Sequence, residues 1–576
     1  MARFATIGKK IPSDLEIAQA AKLRPIVDVA KDLGITPEEL EPYGRDIAKI
    51  NLSVLERTKG RPNGKFITVT AITPTPLGEG KTVTSFGLGQ GLAKIGKKVC
   101  NTTREPSKGP TFGIKGGAAG GGYSQMLPME QINLNFTGDI QAVEAAHNLY
   151  NAAMDASIFH KNLLRIDPAN INLRRCVDVN DRALRELIVT LGGTQSIVYR
   201  QAGYDITAAS ETAAVLALSK DLFDLRKRLG RMICGFTYDN KPVTAEDLKV
   251  AGAMTVLLRD AIKPNLVQSM EGHPVLCHGF PFANVAHGNN SVIADYVALK
   301  LADYVVTESG FGADCGAEKL FDIVCRQAGL KVDCAVITLS IRALKMHGGA
   351  YEFKPGQKYD KEGAEKPNWV ALEKGCGNLR IHIENVRQFG IPVVVTINIF
   401  SSDREEEIDF VRQFALDHGA AFAVPLEAWA CGGEGCVEAA EAVVKACDMP
   451  NTFHHLYPDE MPIREKIETI ATKIYRAAGV DFSPQAEHKL ELFEKIGLGG
   501  LCVNMAKTHL SITHDPTIKG VPPEGYRVPI RDIRASAGAG FLYPLLGEMM
   551  TMPGLPSRPA FMNVDIDKDG KTVGLF

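Results

Sequence analysis

The sequence lacks the marks of a membrane, fibrous or secreted protein. No apolar run approaches the ~18–20 residues needed to cross a bilayer, and Met1–Leu33 mixes charges with short apolar stretches instead of carrying a leader-like hydrophobic segment. Net charge is only −2, from 67 acidic against 65 basic side chains, so there is no global field to hold nucleic acid or an acidic membrane surface. Twelve cysteines are present without a Cys-x-x-Cys or a zinc-type Cys/His spacing, and they read as buried or incidental thiols of a reducing cytoplasm. No internal repeat or low-complexity tract occurs, which excludes solenoids. The 45% hydrophobic and 23% charged composition excludes disorder, collagen and coiled coil. At 576 residues the chain has room for about three or four domains, or for one large α/β body with appendages.

What is present is a long alternation of β-branched apolar runs and helix-period segments, the pattern of a mostly parallel sheet flanked by helices. Strands are expected at Phe66–Ile72, Lys98–Thr103, Val275–Cys277, Tyr304–Thr307, Ala335–Leu339, Val393–Ile397 and Phe422–Val424. Helices are expected at Thr82–Ile95, Ile140–Ile158, Ala245–Asp260, Ser291–Ala302, Glu318–Gln327 and Glu406–His418, with helical pattern again over Met461–Lys495. Tyr351–Pro367 is rich in Lys, Glu, Gly and Pro and reads as a linker or long surface loop; after Ser511 the chain turns Pro- and Gly-rich. The expected division is 1–360 for a first α/β domain, 361–510 for a second and 511–576 for a small C-terminal domain.

The first strand runs into Thr73-Pro-Thr-Pro-Leu-Gly-Glu-Gly-Lys-Thr82 and then a helix. This is the strand, glycine loop, Lys-Thr, helix order of a P-loop, with Thr75 where the first glycine normally stands. Small residues let backbone N–H groups turn onto phosphate oxygens, and the helix N-terminus adds its positive end. Thr75, Pro76, Leu77, Gly78, Glu79, Gly80, Lys81 and Thr82 are therefore the candidate ATP-binding residues. Lys81 would reach the terminal phosphates and Thr82 would ligate magnesium, while Glu79, an awkward neighbour for a triphosphate, is assigned to solvent or to a cation.

A second glycine cluster follows Arg104, from Gly109 to Tyr123. Each glycine loses more backbone entropy on folding than another residue, so such density points to close backbone approach near a ligand. Arg104 ends a strand and would place a fork for phosphate or carboxylate where open α/β sheets bind ligands. Asp139, at the start of a helix, reads equally as an N-cap and as a ligand contact. His278, His287 and His347 lie near Gly-rich turns without metal spacing, and read as hydrogen-bonded loop residues with no catalytic role.

Thr73–Thr82, Arg104–Tyr123 and Phe136-Thr-Gly-Asp139 together resemble formate–tetrahydrofolate ligase of the stand-alone bacterial type. Glu308-Ser-Gly-Phe-Gly-Ala-Asp314, Arg342-Ala-Leu-Lys-Met-His-Gly-Gly349 and Trp429-Ala-Cys-Gly-Gly-Glu-Gly435 extend the likeness in order along the chain. The resemblance implies ligation of formate to tetrahydrofolate with MgATP through formyl phosphate, a monovalent cation (K+ or NH4+) and a homotetramer. It implies Lys81 and Arg104 as catalytic residues, Glu105 at the monovalent cation, and Asp139, Phe311, Phe400 and Trp429 at the folate. Phe400 is followed by Ser401-Ser402-Asp403-Arg404 where the family has Pro-Thr-Asp-Thr, and the lost proline is expected to weaken folate affinity. Two other readings stand beside this one: a P-loop ligase of another small acid, and a nucleotide-dependent switch without small-molecule turnover.

Overall fold

The computed structural model describes residues 4–6, 11–76, 78–113, 119–191, 198–352 and 360–575. Its centre is a large sheet, twelve-stranded among the described residues. Seven strands of it run parallel: β1 (Lys65–Ala71), β2 (Val99–Thr103), β3 (Pro274–Cys277), β4 (Tyr304–Glu308), β5 (Cys334–Ser340), β6 (Val393–Asn398) and β7 (Phe422–Leu426). Their spatial order is β3-β2-β4-β1-β5-β6-β7. Beyond β3 the sheet continues antiparallel through Asn265–Ser269, Ala48–Ile50 and Leu40–Pro42.

These strands read as continuous apolar runs because both faces are covered. Alternation along β6 sends Val393, Val395 and Ile397 into the larger core, and Val394 into a second core on the opposite face. On β1, Phe66 belongs to the first and Ile67 and Val69 to the second. Leu88 and Leu92 of helix α1 (Lys81–Lys94) cover the second face, together with Ala439, Ala440 and Val443 of Val437–Cys447. Each fully buried Val, Leu or Ile side chain among these contributes about 1.5–3 kcal/mol. Helix α2 (Asp139–Phe159) begins after Gly138, and α3 (Val292–Leu301) is capped by the Ser291 hydroxyl, which accepts from Ala294 N at 3.1 Å.

Several expected elements differ in detail. The expected helix Glu318–Gln327 is instead two wide π-helical stretches, Ala313–Ala317 and Leu320–Cys325, with an α-helical turn at Arg326–Ala328. Ala245–Asp260 shortens to a helix at Ala251–Leu257. Met461–Lys495 contains a strand, Gly479–Phe482, between helices Ile463–Lys473 and Pro484–Lys495. That strand pairs with Arg527–Ile530, and Cys502–Val503 pairs with Phe541–Leu545. The central sheet runs on across position 360, since β5 and β6 pair directly. All twelve cysteines are free thiols. Among the described residues no helix is long and apolar enough to cross a membrane.

Candidate active site

The motif residues converge because each follows the carboxyl end of a parallel strand, the edge at which open α/β sheets bind ligands. The Thr73–Thr82 segment follows β1, Arg104 and Glu105 follow β2, Phe311 follows β4, Phe400 follows β6 and Trp429 follows β7.

The glycine loop after β1 is built by two left-handed glycines, Gly78 at φ +75° and Gly80 at φ +76°, the latter leading into α1. Leu77 lies outside the described residues. A Cβ on Gly80 would fall 2.5 Å from Asn398 Nδ2. That amide, at the end of β6, donates to the Glu79 carbonyl at 2.6 Å and to the Thr338 hydroxyl at 2.9 Å, so the loop is pinned from two strands away. Glu79 is turned inward and buried, which leaves a cation rather than solvent of its two expected neighbours, and its carboxylate accepts from Thr75 N at 2.6 Å. The loop's chain reversal brings that N–H within reach, and accepting it offsets part of the cost of burying the charge. The Thr75 hydroxyl is buried and, among the described residues, has no hydrogen-bond partner. Pro76 is exposed, and Thr82 is half-buried as the second residue of α1. Thr73 is held at both ends: its N–H donates to Asn378 Oδ1 at 3.2 Å, and its carbonyl lies 2.7 Å from His347 Nε2.

Lys81 and Arg104 follow β1 and β2, the strands on either side of β4, and so flank Glu308, the last residue of β4. Lys81 Nζ lies 4.0 Å from Glu308 Oε1 and donates to the Phe311 carbonyl at 3.4 Å. Arg104 donates to the Pro281 carbonyl at 3.2 Å. Burial lowers the Arg104 pKa below the usual guanidinium value, with Glu308 opposing the shift.

Glu105 belongs to a different, fully buried cluster. Asp139 sits within it rather than beside Phe400 and Trp429, which follow strands at the far end of the sheet. Lys49 Nζ is 2.8 Å from Asp139 Oδ1, and also donates to Asn265 Oδ1 at 2.8 Å and to the Lys263 carbonyl at 3.1 Å. Asn265 Nδ2 donates to Asp139 Oδ2 at 2.8 Å. Burial, and after it the Asp139 charge, pushes the Glu105 carboxyl well above the usual carboxylate range. His278 lies against both carboxylates, but its ring nitrogens are within 2.6 Å of Ser291 Oγ and of the Ala261 carbonyl. Lys49 and Asn265 went unnoticed in the sequence because only strand pairing unites positions 49, 105, 139 and 265.

The three aromatic candidates are each held individually. Phe311 adopts φ +62° between two glycines, and its ring stacks on His509 at 4.2 Å between centroids. Phe400 carries the Arg342 guanidinium 3.7 Å from its ring centroid, and its N–H donates to Asp403 Oδ2 at 2.9 Å. That carboxylate, with the Asp403 N–H to the Phe400 carbonyl at 3.0 Å, closes the turn in which Ser401 replaces the family proline. Trp429, 37% exposed, donates from its indole to Asp14 at 3.2 Å. Its carbonyl accepts from Tyr123 N at 3.0 Å, and a Cβ on Gly122 (φ +55°) would fall 2.0 Å from it, so the glycine cluster allows this close approach. Residues 114–118 of that cluster lie outside the described residues.

The model of the family described as formate–tetrahydrofolate ligase matches residues 12–576. The chain belongs to the formate–tetrahydrofolate ligase family. A relative of that name from Desulforamulus reducens is 59% identical over 568 residues, which is 99% of this chain and 100% of the relative. One from a Roseiflexus species is 56% identical, over 98% of this chain and 100% of its own. Another from Saccharopolyspora erythraea is 52% identical with the same coverage. The family match embraces all the motifs that the strand ends bring together, from the phosphate loop to Trp429.

Proposed function

We propose that this enzyme is a ligase of one-carbon metabolism that uses ATP to join formate to tetrahydrofolate, giving 10-formyltetrahydrofolate, ADP and phosphate. The observation that carries the reading is the family match over 12–576, with a glycine loop and lysine after β1 and an arginine after β2, the two strands that flank β4. Formate resists nucleophilic attack because its carboxylate is already charged and delocalised. One of its oxygens therefore takes the γ-phosphoryl group, the bond to ADP breaks, and formyl phosphate results. Lys81 and the α1 N-terminus stabilise the transferring group, and Arg104 holds the carboxylate and then the acyl phosphate. The folate N10 is an aniline-like nitrogen, neutral at pH 7, so holding it against the formyl carbon counts for more than a strong base. Phe311, Phe400 and Trp429 line the folate side, where a flat pterin suits aromatic stacking.

Two absent groups suit the residues present. Glu105 and Asp139 carry two buried carboxylates against the single ammonium of Lys49, which leaves one negative charge with oxygen donors. That balance fits a monovalent cation, with Glu105 and Asp139 holding it in place of a proton. The partners of Asp139 favour this place over one beside the pterin. Thr82, opening α1 with its hydroxyl, fits magnesium, which when bound neutralises charge on the ATP phosphates. A homotetramer follows from the resemblance alone, and a cytoplasmic setting from the cysteine usage. Measuring ADP release with formate, acetate or bicarbonate as the acid tests the reading: turnover confined to formate and dependent on tetrahydrofolate supports it, and equal turnover with another acid overturns it.

A further inference from the structure

Three histidines share the loops at the carboxyl edge of the sheet, and two are accounted for. His278 uses both ring nitrogens, and His347 uses Nε2 to hold the phosphate-loop backbone. His287 is different. It is completely buried, and among the described residues neither Nδ1 nor Nε2 has a hydrogen-bond partner. Leaving such a polar ring unpaired in the interior is unfavourable, and buried polar groups are ordinarily hydrogen-bonded.

The loop that holds His287 wraps around Arg104. Arg104 donates to the Pro281 carbonyl at one end of it. At the other end, Gly310 N donates to the Gly288 carbonyl at 3.1 Å. A Cβ on Gly310 would lie 2.7 Å from Ala283 Cβ, 2.9 Å from Gly288 O and 3.4 Å from Arg104 Nη2, so this backbone packs directly against the guanidinium. Two further buried oxygens have no hydrogen-bond partner among the described residues: Glu308 Oε2 at the end of β4, and Asn289 Oδ1 in the His287 loop, whose own amide donates to Ser309 at 3.1 Å. Lys319 closes the loop from behind through the Ala283 carbonyl at 2.6 Å.

We infer that His287 is a further substrate-binding residue, donating a ring N–H hydrogen bond to the small carboxylate anion that Arg104 holds. The inference rests on the proposed reaction and deepens it. Arg104 supplies charge, whereas a neutral imidazole supplies a directed donor that adds no second charge to a buried site. His287 is suited to stay neutral: burial, and after it the charges of Arg104, Lys319 and Arg228, lower its pKa to about 3. When one carboxylate oxygen bonds to the γ-phosphorus and the bond to ADP breaks, the other becomes the carbonyl oxygen of the acyl phosphate. His287 donates to that oxygen before and after the transfer, with no proton changing hands. On attack by N10 the same oxygen gains negative charge, so the hydrogen bond strengthens where it assists the reaction.

The test compares His287→Leu and His287→Asn with the unmodified enzyme by steady-state kinetics in all three substrates and by thermal unfolding. His287→Leu removes an unpaired polar ring from a buried position, so its unfolding temperature is expected to hold or rise. Its formate KM is expected to rise, or its kcat to fall, at least tenfold, with the ATP KM within twofold. His287→Asn keeps a donor and is expected to recover part of the loss. Formate kinetics unchanged in His287→Leu overturn the inference, as does a drop in stability with uniform loss in all three substrates, which marks a structural histidine. Absence of formate-dependent turnover in the unmodified enzyme defeats the proposed function instead, so the two failures are told apart.

Discussion

Substituting Gly80 by alanine separates backbone strain in the phosphate loop from the contact that pins it. Gly80 and Gly78 have almost the same backbone, at φ +76° and +75°. An L-residue in that region costs about 1–2 kcal/mol. The two positions differ in what a Cβ would meet among the described residues: nothing within 4 Å at Gly78, but Asn398 Nδ2 at 2.5 Å at Gly80. Asn398 cannot yield freely, because its amide donates to Glu79 O, Thr338 Oγ1 and Thr84 Oγ1 at 2.6, 2.9 and 3.1 Å. Displacing it gives up buried hydrogen bonds worth about 0.5–1.5 kcal/mol each. Gly78→Ala is therefore expected to cost about 1–2 kcal/mol and Gly80→Ala about 2–4 kcal/mol. Chemical denaturation reads the stability loss, and the ATP KM reads its effect on the loop, with the larger rise in Gly80→Ala. The added Asn398→Ala change, by making room, is expected to narrow the gap between them. Equal losses in Gly78→Ala and Gly80→Ala, or no coupling to Asn398, would refute the reasoning.

Two other perturbations probe buried charge. Lys49→Met leaves Asp139 and Glu105 facing each other without the ammonium, and breaking such a pair costs about 3–5 kcal/mol in a denaturation experiment; adding Asp139→Asn is expected to recover much of it, and a loss below about 1 kcal/mol contradicts the charge balance drawn here. Asp295 is buried and its carboxyl is pushed up to about 7, against hydrogen bonds from Asn290 and Thr102. The native state therefore holds the proton more tightly than the unfolded chain, so the cost of ionisation is absent below about pH 4, grows up to pH 7 and is complete above it. Asp295→Asn is expected to stabilise the protein by about 1–3 kcal/mol above pH 7 and not near pH 4, and a pH-independent difference between the two proteins counts against this.

The central strands were legible because a parallel strand covered on both faces leaves no polar alternation to confuse the reading. Phe66–Ile72 became Lys65–Ala71, and Val393–Ile397 became Val393–Asn398. Helix α1 was legible from the glycine loop before it. The π-helical stretches at 313–325 were not, since the segment is buried on all sides and leaves no polar face from which a period could be read. At the site, local motifs pointed to Lys81 and Arg104 and the family resemblance to Glu105, whereas the residues that support them are nonlocal. Asn398 reaches the loop from β6, and Lys49 reaches Asp139 from the antiparallel edge. His287 looked like its neighbours in sequence, and only its missing partners distinguish it from His278.

The most direct test of the account measures ADP release by the purified protein with MgATP and potassium, omitting formate or tetrahydrofolate in turn, alongside Lys81→Ala and Arg104→Ala. Turnover that needs both substrates and collapses in both variants is the predicted result. ADP release indifferent to formate and tetrahydrofolate, or undiminished in the two variants, contradicts it.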